Sequence, residues 1–223
     1  MRVDNLSYQD WIEHAFGREV RLSGNPWFLD SDCDWWSPSS TEYVAYLTRL
    51  FENPEVLTAS FADSQIAQGL TYLTDVSAVG DDGHLADPAV PIASRLRLLA
   101  STVVLFERLF APRCTPHLSH LDELGAGPLN GRCYMWWDSF PSIGLAGDPN
   151  LNELQEDTLT AMAGILRLDS LACQESALHG LGHWRLSQSG DVVSIIDAFI
   201  ARSASARSEL LTYARSARSG CVL

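Results

Sequence analysis

The sequence predicts an all-α protein built from antiparallel helical hairpins. Three observations lead to this fold class: apolar residues recur every three or four positions, capping residues precede those segments, and no stretch alternates apolar with polar residues as a half-buried strand does. The 223 residues, 46% of them hydrophobic, are enough for one large core. We therefore expect a single all-α domain over residues 1–223, with an acidic helical part at 1–90 and a helical-hairpin part at 91–223.

Helix-capping residues set the order of the N-terminal half. Ser7 begins a short helix that ends near Gly17. Ser39, with an acid three residues later, forms a capping box at the start of a second helix, which stops before Pro54. The remaining segments of this half are an irregular aromatic and acidic stretch, a third helix and a turn-rich loop, at residues 18–38, about 64–75 and 77–90.

The C-terminal half is more regular. Pro91 suits the first position of a long, largely buried helix that runs to about Phe110. A helix-like segment follows at residues 128–138 and is broken at Pro141. Four further helices are joined by connections of a few residues, which makes them antiparallel neighbours in two hairpins. They fit residues 151–167, 170–187, 191–203 and 205–218.

The segment 170–187 is the predicted core helix. Leu171, Leu178 and Leu181 recur at helical spacing, and Ala177 and Gly182 leave room for a neighbouring helix to approach. We therefore expect Ala177, Leu178 and Leu181 to be almost fully buried.

Residues 151–187 resemble a HEAT-type repeat, with Cys173-Gln-Glu-Ser-Ala-Leu-His-Gly-Leu-Gly182 similar to the second helix of such a pair. The resemblance implies stacked helix pairs with a continuous core, often with a concave binding face. A HEAT-like arrangement and an irregular α-solenoid or bundle both satisfy the helix pattern. The segments Leu109-Phe-Ala-Pro-Arg-Cys-Thr-Pro-His-Leu-Ser-His120 and Cys133-Tyr-Met-Trp-Trp-Asp138 resemble those of a bacterial protein family to which no activity is attached.

Charge and composition exclude several function classes. The net charge is −13, and residues 1–90 carry 15 acids against four arginines whereas residues 91–223 carry 13 against 11. Nucleic-acid binding is not expected, because phosphate affinity requires a basic surface. No apolar run is long enough for a membrane span, and the first residues do not form a secretory signal. Five cysteines at irregular spacing indicate reduced thiols, and the expected location is cytoplasmic.

The acidic half favours a protein-interaction module that neutralises a basic partner, in the manner of an immunity protein or antitoxin. Aromatic anchors with an acidic rim suit an arginine- or lysine-rich surface. The expected binding residues are Trp27, Trp35 and Trp36, rimmed by Asp30, Asp32 and Asp34, with His179 and His183 as a further exposed surface. The alternative is that these tryptophans pack the 18–38 stretch onto the body of the protein.

A metal-dependent helical enzyme is the competing function. Glu175, His179 and His183 lie at i, i+4 and i+8 on one stripe of the 170–187 helix, and zinc or iron sites often take two ligands from one helix at i and i+4. In a packed helix, however, a histidine beside an acid is more often a hydrogen-bonded pair. We therefore expect Glu175 and His179 to bond to each other, and neither a metal nor a cofactor to bind.

A second possible set of metal ligands has the spacing of half a zinc site. Its members would be Cys114, His117, His120 and Cys133. The alternative is an ordinary loop after the long helix, since no second closely spaced pair completes the site.

The sequence contains no nucleophile elbow, P-loop or dinucleotide fingerprint, so enzymatic activity is the less favoured class.

Overall fold

The all-α fold class is confirmed by the computed structural model of the chain. The structure describes residues 2–3, 6–21, 25–30, 35–36, 38–74, 84–85, 87–140, 148–185, 189–203 and 205–222. Apart from one parallel pair of two-residue strands, β1 (Arg2–Val3) and β2 (Trp35–Trp36), the regular structure of these residues is helical.

The helices follow the predicted order, with three differences, of which the first is a short helix at Glu55–Ser60 that the sequence did not predict. The predicted segment 128–138 is two helices that meet at Met135, and the long helix runs past Phe110 to Arg113 through a π-helical turn at Phe106–Phe110. Short 3-10 turns lie at Trp27–Leu29 and Ser119–Leu121. The α-helices are α1 (Tyr8–Phe16), α2 (Ser40–Glu52), α3 (Glu55–Ser60), α4 (Asp63–Thr74), α5 (Ile92–Leu105), α6 (Pro128–Tyr134), α7 (Trp136–Ser139), α8 (Leu151–Ile165), α9 (Leu171–Trp184), α10 (Ser189–Arg202) and α11 (Ser208–Ser219).

Serine hydroxyls cap three of these helices. The side chains of Ser7, Ser39 and Ser170 each accept a hydrogen bond from the backbone N–H three residues later. Each bond satisfies a donor that the first turn of a helix leaves without a backbone partner. The starts of α1, α2 and α9 are therefore fixed by local chemistry.

Helix α9 lies at the centre of the C-terminal half. It packs against α6, α7, α8, α10 and α11, while α5 joins the two halves by packing against both α2 and α8. Ala177, Leu178 and Leu181 are fully buried, as predicted. The pairs α8–α9 and α10–α11 are the two predicted hairpins, and the second helices of both pairs contact each other. The assignment of these hairpins to the HEAT type stays a prediction.

None of the helices in the described part of the chain is long and apolar enough to cross a bilayer. The cytoplasmic location stays a prediction.

Candidate functional site

Two of the three tryptophans of the predicted docking surface, Trp27 and Trp36, lie in the core. Trp27 is 7% exposed and Trp36 is 1% exposed. Trp36 stacks on Tyr46 with ring centroids 5.7 Å apart, and Trp27 contacts Tyr72 at 4.6 Å. The prediction that Trp27 and Trp36 are exposed anchors is therefore wrong, because their aromatic contacts hold this stretch against the helices.

The acidic rim of that surface is described only in part. Asp30 accepts two hydrogen bonds from Arg21, at 3.0 and 2.6 Å, and this pairing lowers the pKa of its carboxyl. Asp32, Asp34 and the side chain of Trp35 lie outside the described residues. Binding of a basic protein partner stays a prediction.

The second predicted metal set does not assemble in the described part of the chain. His117 Nδ1 contacts Thr115 Oγ1 at 2.8 Å, and His120 pairs with a carboxylate. Cys133 is buried, and burial together with the neighbouring thiols of Cys114 and Cys173 raises the pKa of its own thiol. Cys114 and Cys133 are thus neighbours, but His117 and His120 have other partners and the four groups do not form a ligand cluster, so the alternative ligand set is not supported.

Glu175 is fully buried, but its carboxylate bonds to residues outside its own helix and not to His179 or His183. Its Oε2 accepts the N–H of Ser119 at 2.9 Å, and its Oε1 accepts the N–H of His120 at 2.9 Å and contacts His120 Nδ1 at 2.6 Å. The prediction of a hydrogen bond between Glu175 and His179 is therefore wrong. Eight residues of helix rise about 12 Å, so Glu175 and His183 cannot reach one ion from the same stripe.

Asp138, at the end of α7, completes a group with the two histidines of α9. His179 Nε2 lies 3.0 Å from Asp138 Oδ2, and His183 Nε2 lies 3.1 Å from Asp138 Oδ1. The two Nε2 atoms are themselves 3.0 Å apart. In the described part of the chain, these three residues form the one group of three acid, histidine or cysteine side chains with the spacing of metal ligands.

A glycine allows α7 to approach α9 this closely. A Cβ atom on Gly180 would lie 2.5 Å from Cγ of Trp137, the residue before Asp138. Carbon atoms in ordinary contact are about 3.5–4.0 Å apart, so only glycine accommodates the indole at this position. Gly180 thus brings the carboxylate of Asp138 within reach of both histidines.

The site is closed on one side and open on the other. The side chain of His179 is buried, whereas those of His183 and Asp138 are 42% and 30% exposed. Burial raises the pKa of Asp138, but the hydrogen bond from His179 and the nearby charges of His179, His183 and Arg132 outweigh this effect and lower it. Burial and the charge of His179 lower the pKa of His183. At neutral pH the group thus combines a carboxylate with a neutral His183 ring.

Hydrogen bonds alone cannot satisfy all three contacts of this group. A nitrogen of a neutral imidazole either donates or accepts, and an ionised carboxylate only accepts. If both rings donate to Asp138, their two Nε2–H groups face each other at 3.0 Å; if one ring does not donate, its lone pair faces a carboxylate oxygen. A cation bound to the carboxylate and to both Nε2 atoms removes this conflict.

Two tyrosines and a histidine lie on the Nδ1 side of the buried His179 ring. The hydroxyl of Tyr213, on α11, is 2.8 Å from His179 Nδ1 and 3.1 Å from the hydroxyl of Tyr134. The ring of Tyr213 stacks on that of His120 with centroids 4.1 Å apart. Burial, followed by the neighbouring Tyr134 and the carboxylates of Glu175 and Asp138, raises the pKa of Tyr213, so its hydroxyl stays protonated.

Sequence reasoning placed His179 and His183 correctly on one helix but missed Asp138, Tyr134 and Tyr213. The only local signal was the Trp-Trp-Asp sequence at the end of a helical segment.

No protein-family model matches the chain, and neither a curated protein nor a solved structure matches it. The function of the site is therefore inferred from its geometry.

Proposed function

We propose that the chain is a metal-dependent enzyme that binds a divalent transition-metal ion through Asp138, His179 and His183 and uses it for hydrolysis. The observation that carries the proposal is the mutual approach of one carboxylate and two imidazole nitrogens at 3.0–3.1 Å. The proposal keeps the two histidines predicted from the sequence and replaces Glu175 with Asp138.

The spacing of the three groups fits a metal ion. Ligand atoms about 2.0–2.2 Å from a metal are separated by about 3.0 Å in octahedral and about 3.4 Å in tetrahedral geometry. In this site the two Nε2 atoms are 3.0 Å apart, and each lies 3.0–3.1 Å from a different oxygen of Asp138, which are separations close to the octahedral value. Two imidazoles and one carboxylate are also a ligand set used by catalytic zinc and by non-haem iron.

The exposure of the site favours catalysis over a purely structural role. Structural metal sites use four protein ligands, whereas catalytic sites keep a position open for water or substrate. Here three ligands converge, and the two outer ones, His183 and Asp138, border solvent. A bound ion would supply Lewis acidity and lower the pKa of a coordinated water towards about 7. In hydrolysis such a water would add its oxygen to a carbonyl or phosphoryl centre, the bond to the leaving group would break, and the leaving group would take up the proton that the water loses.

Titration of the metal-free protein with Co(II) and with Zn(II) tests metal binding. We expect one equivalent of either ion to bind, with loss of this binding in His183→Ala and Asp138→Asn. His117→Ala is the matched control, since it removes a histidine that bonds to Thr115 rather than to the ligand group. Wild-type protein that binds neither ion, or His183→Ala that binds as the wild type does, contradicts the proposal.

The pH dependence of the Co(II) absorption spectrum tests the catalytic part separately. A coordinated water that ionises changes the spectrum with a midpoint at about pH 7. A spectrum that stays constant between pH 6 and 9 would indicate a closed, structural metal site and refute the hydrolytic function.

A further inference from the structure

His179 must present a lone pair, not a hydrogen, on Nε2 if it binds a metal. A neutral imidazole carries one hydrogen on one of its two nitrogens, so the partner of Nδ1 decides the state of Nε2. That partner is the hydroxyl of Tyr213, 2.8 Å away. The direction of this hydrogen bond therefore controls whether His179 is a ligand.

Tyr134 offers an acceptor for the hydroxyl hydrogen of Tyr213. A tyrosine hydroxyl has one hydrogen to donate, and the hydroxyl of Tyr134 lies 3.1 Å from that of Tyr213. When Tyr213 donates to Tyr134, its oxygen lone pair is left to accept from His179 Nδ1. In this arrangement the hydrogen of His179 is on Nδ1, and Nε2 presents its lone pair to a bound ion instead of donating a hydrogen bond to Asp138.

The ring of Tyr213 is held in place by a stacked histidine. It stacks on His120 at 4.1 Å with an angle of 20° between the rings. His120 is itself held by the buried carboxylate of Glu175 through its ring nitrogen and its backbone N–H. Glu175, which the sequence suggested as a metal ligand, therefore holds the histidine that supports Tyr213.

We infer that Tyr213 is a positioning residue of the metal site: its hydroxyl accepts the hydrogen of His179 Nδ1, while the Glu175–His120 pair holds its ring in place. The inference rests on the proposed metal-dependent function and adds a residue that does not touch the ion. Partners of this kind that orient a ligating histidine commonly contribute about 10- to 100-fold to metal affinity.

The test is Co(II) titration of Tyr213→Phe, which removes the hydroxyl and keeps the ring. We expect the Kd for Co(II) to rise about 10- to 100-fold and the Co(II) absorption spectrum to change, because the ring of His179 loses its anchor. Tyr46→Phe is the matched control: its hydroxyl donates to the carbonyl of Leu6 at 2.8 Å in another part of the fold. Loss of that hydroxyl should leave both the Kd and the spectrum unchanged.

A second variant tests the direction of the hydrogen bond and serves if Tyr213→Phe does not fold. Tyr134→Phe removes the group that accepts the hydrogen of Tyr213, so we expect weaker Co(II) binding here too, with a smaller rise in Kd.

The outcomes separate the two proposals. Wild-type protein that binds no Co(II) overturns the metal site and this inference with it. Wild-type protein that binds Co(II), with both tyrosine variants at the wild-type Kd and spectrum, overturns the role of Tyr213 alone. An equal loss of affinity in Tyr46→Phe would also overturn it, since the effect would then not be specific to the hydroxyl beside His179.

Discussion

Gly180→Ala tests whether the close approach of α7 to α9 assembles the ligand group. The added Cβ would lie 2.5, 2.7 and 2.8 Å from Cγ, Cδ1 and Cβ of Trp137. The shortfall from an ordinary carbon contact of about 3.5 Å is about 1 Å. Because Trp137 is itself buried and stacked on Phe106, its indole has little freedom to move aside, and α7 must shift.

The effect on stability is the difference between two opposing contributions. Overpacking a buried site lowers the free energy of unfolding by about 1–3 kcal/mol. Alanine within a helix is favoured over glycine by about 0.5–1 kcal/mol. We therefore expect Gly180→Ala to lose between almost nothing and about 2.5 kcal/mol, measured by urea denaturation.

The effect on metal affinity should be larger than the modest loss of stability suggests. A shift of about 1 Å would lengthen the contacts of Asp138 with the two histidines from 3.0 and 3.1 Å to about 4 Å. We expect the Kd for Co(II) to rise at least 10-fold, as for other losses of ligand support.

Two glycine variants serve as controls for this prediction. Gly131→Ala adds a Cβ that meets no atom within 4 Å, so it should leave the Kd unchanged and raise stability by about 0.5–1 kcal/mol. Gly182→Ala meets Val222 at 2.5 Å and should lower stability without changing the Kd, since Val222 belongs to the C-terminal segment and not to α7. If Gly180→Ala binds Co(II) as tightly as the wild type, the reasoning about α7 is wrong.

Three further predictions concern stability. Trp36→Ala should lower the free energy of unfolding by about 3–5 kcal/mol in urea denaturation, because the indole is buried. Near-wild-type stability of this variant would indicate that Trp36 is exposed, as the docking-surface prediction requires. Asp148→Asn should cost about 3 kcal/mol in the same assay, because it leaves the buried guanidinium of Arg95 without its charge partner; an unchanged midpoint would contradict the pairing. The pKa of Glu123 is lowered from 4.5 to about 2 by hydrogen bonds from Arg207 and a backbone N–H, so its carboxylate stabilises the fold above about pH 4.5 and loses this effect as the pH falls towards 2. Melting curves of Glu123→Gln should therefore depend less on pH between 5 and 3, and an unchanged pH dependence would refute this assignment.

The helices were predictable because their signals are local. Ser7, Ser39 and Ser170 cap helices through a bond to a residue three positions later, which a sequence displays directly. The burial of Leu178 and Leu181 likewise follows from helical spacing alone. The break between α6 and α7 left no comparable mark, because the segment has apolar residues on both sides of it.

The candidate site was only half predictable, because its other half comes from distant parts of the chain. His179 and His183 converge through helix geometry, but Asp138 precedes His179 by 41 residues, and Tyr213 follows it by 34. Charge and aromatic patterns were a poor guide to exposure at Trp36, where acidic neighbours in sequence suggested solvent and the fold supplies an aromatic cluster. Pairings of this range depend on tertiary packing, which no local pattern encodes.

The short helix α7 can carry a metal ligand because aromatic packing, not its own backbone, holds it in place. A four-residue helix is not stable alone, since the free-energy cost of nucleating a helix exceeds the stabilisation that a single turn provides. Its first residue, Trp136, is fully buried and contacts Phe106, Phe110 and Phe140 at centroid distances of 5.4–5.7 Å. Trp137 fits against the helix that carries both histidines. Asp138 follows directly, so these two buried tryptophans fix the position of the carboxylate.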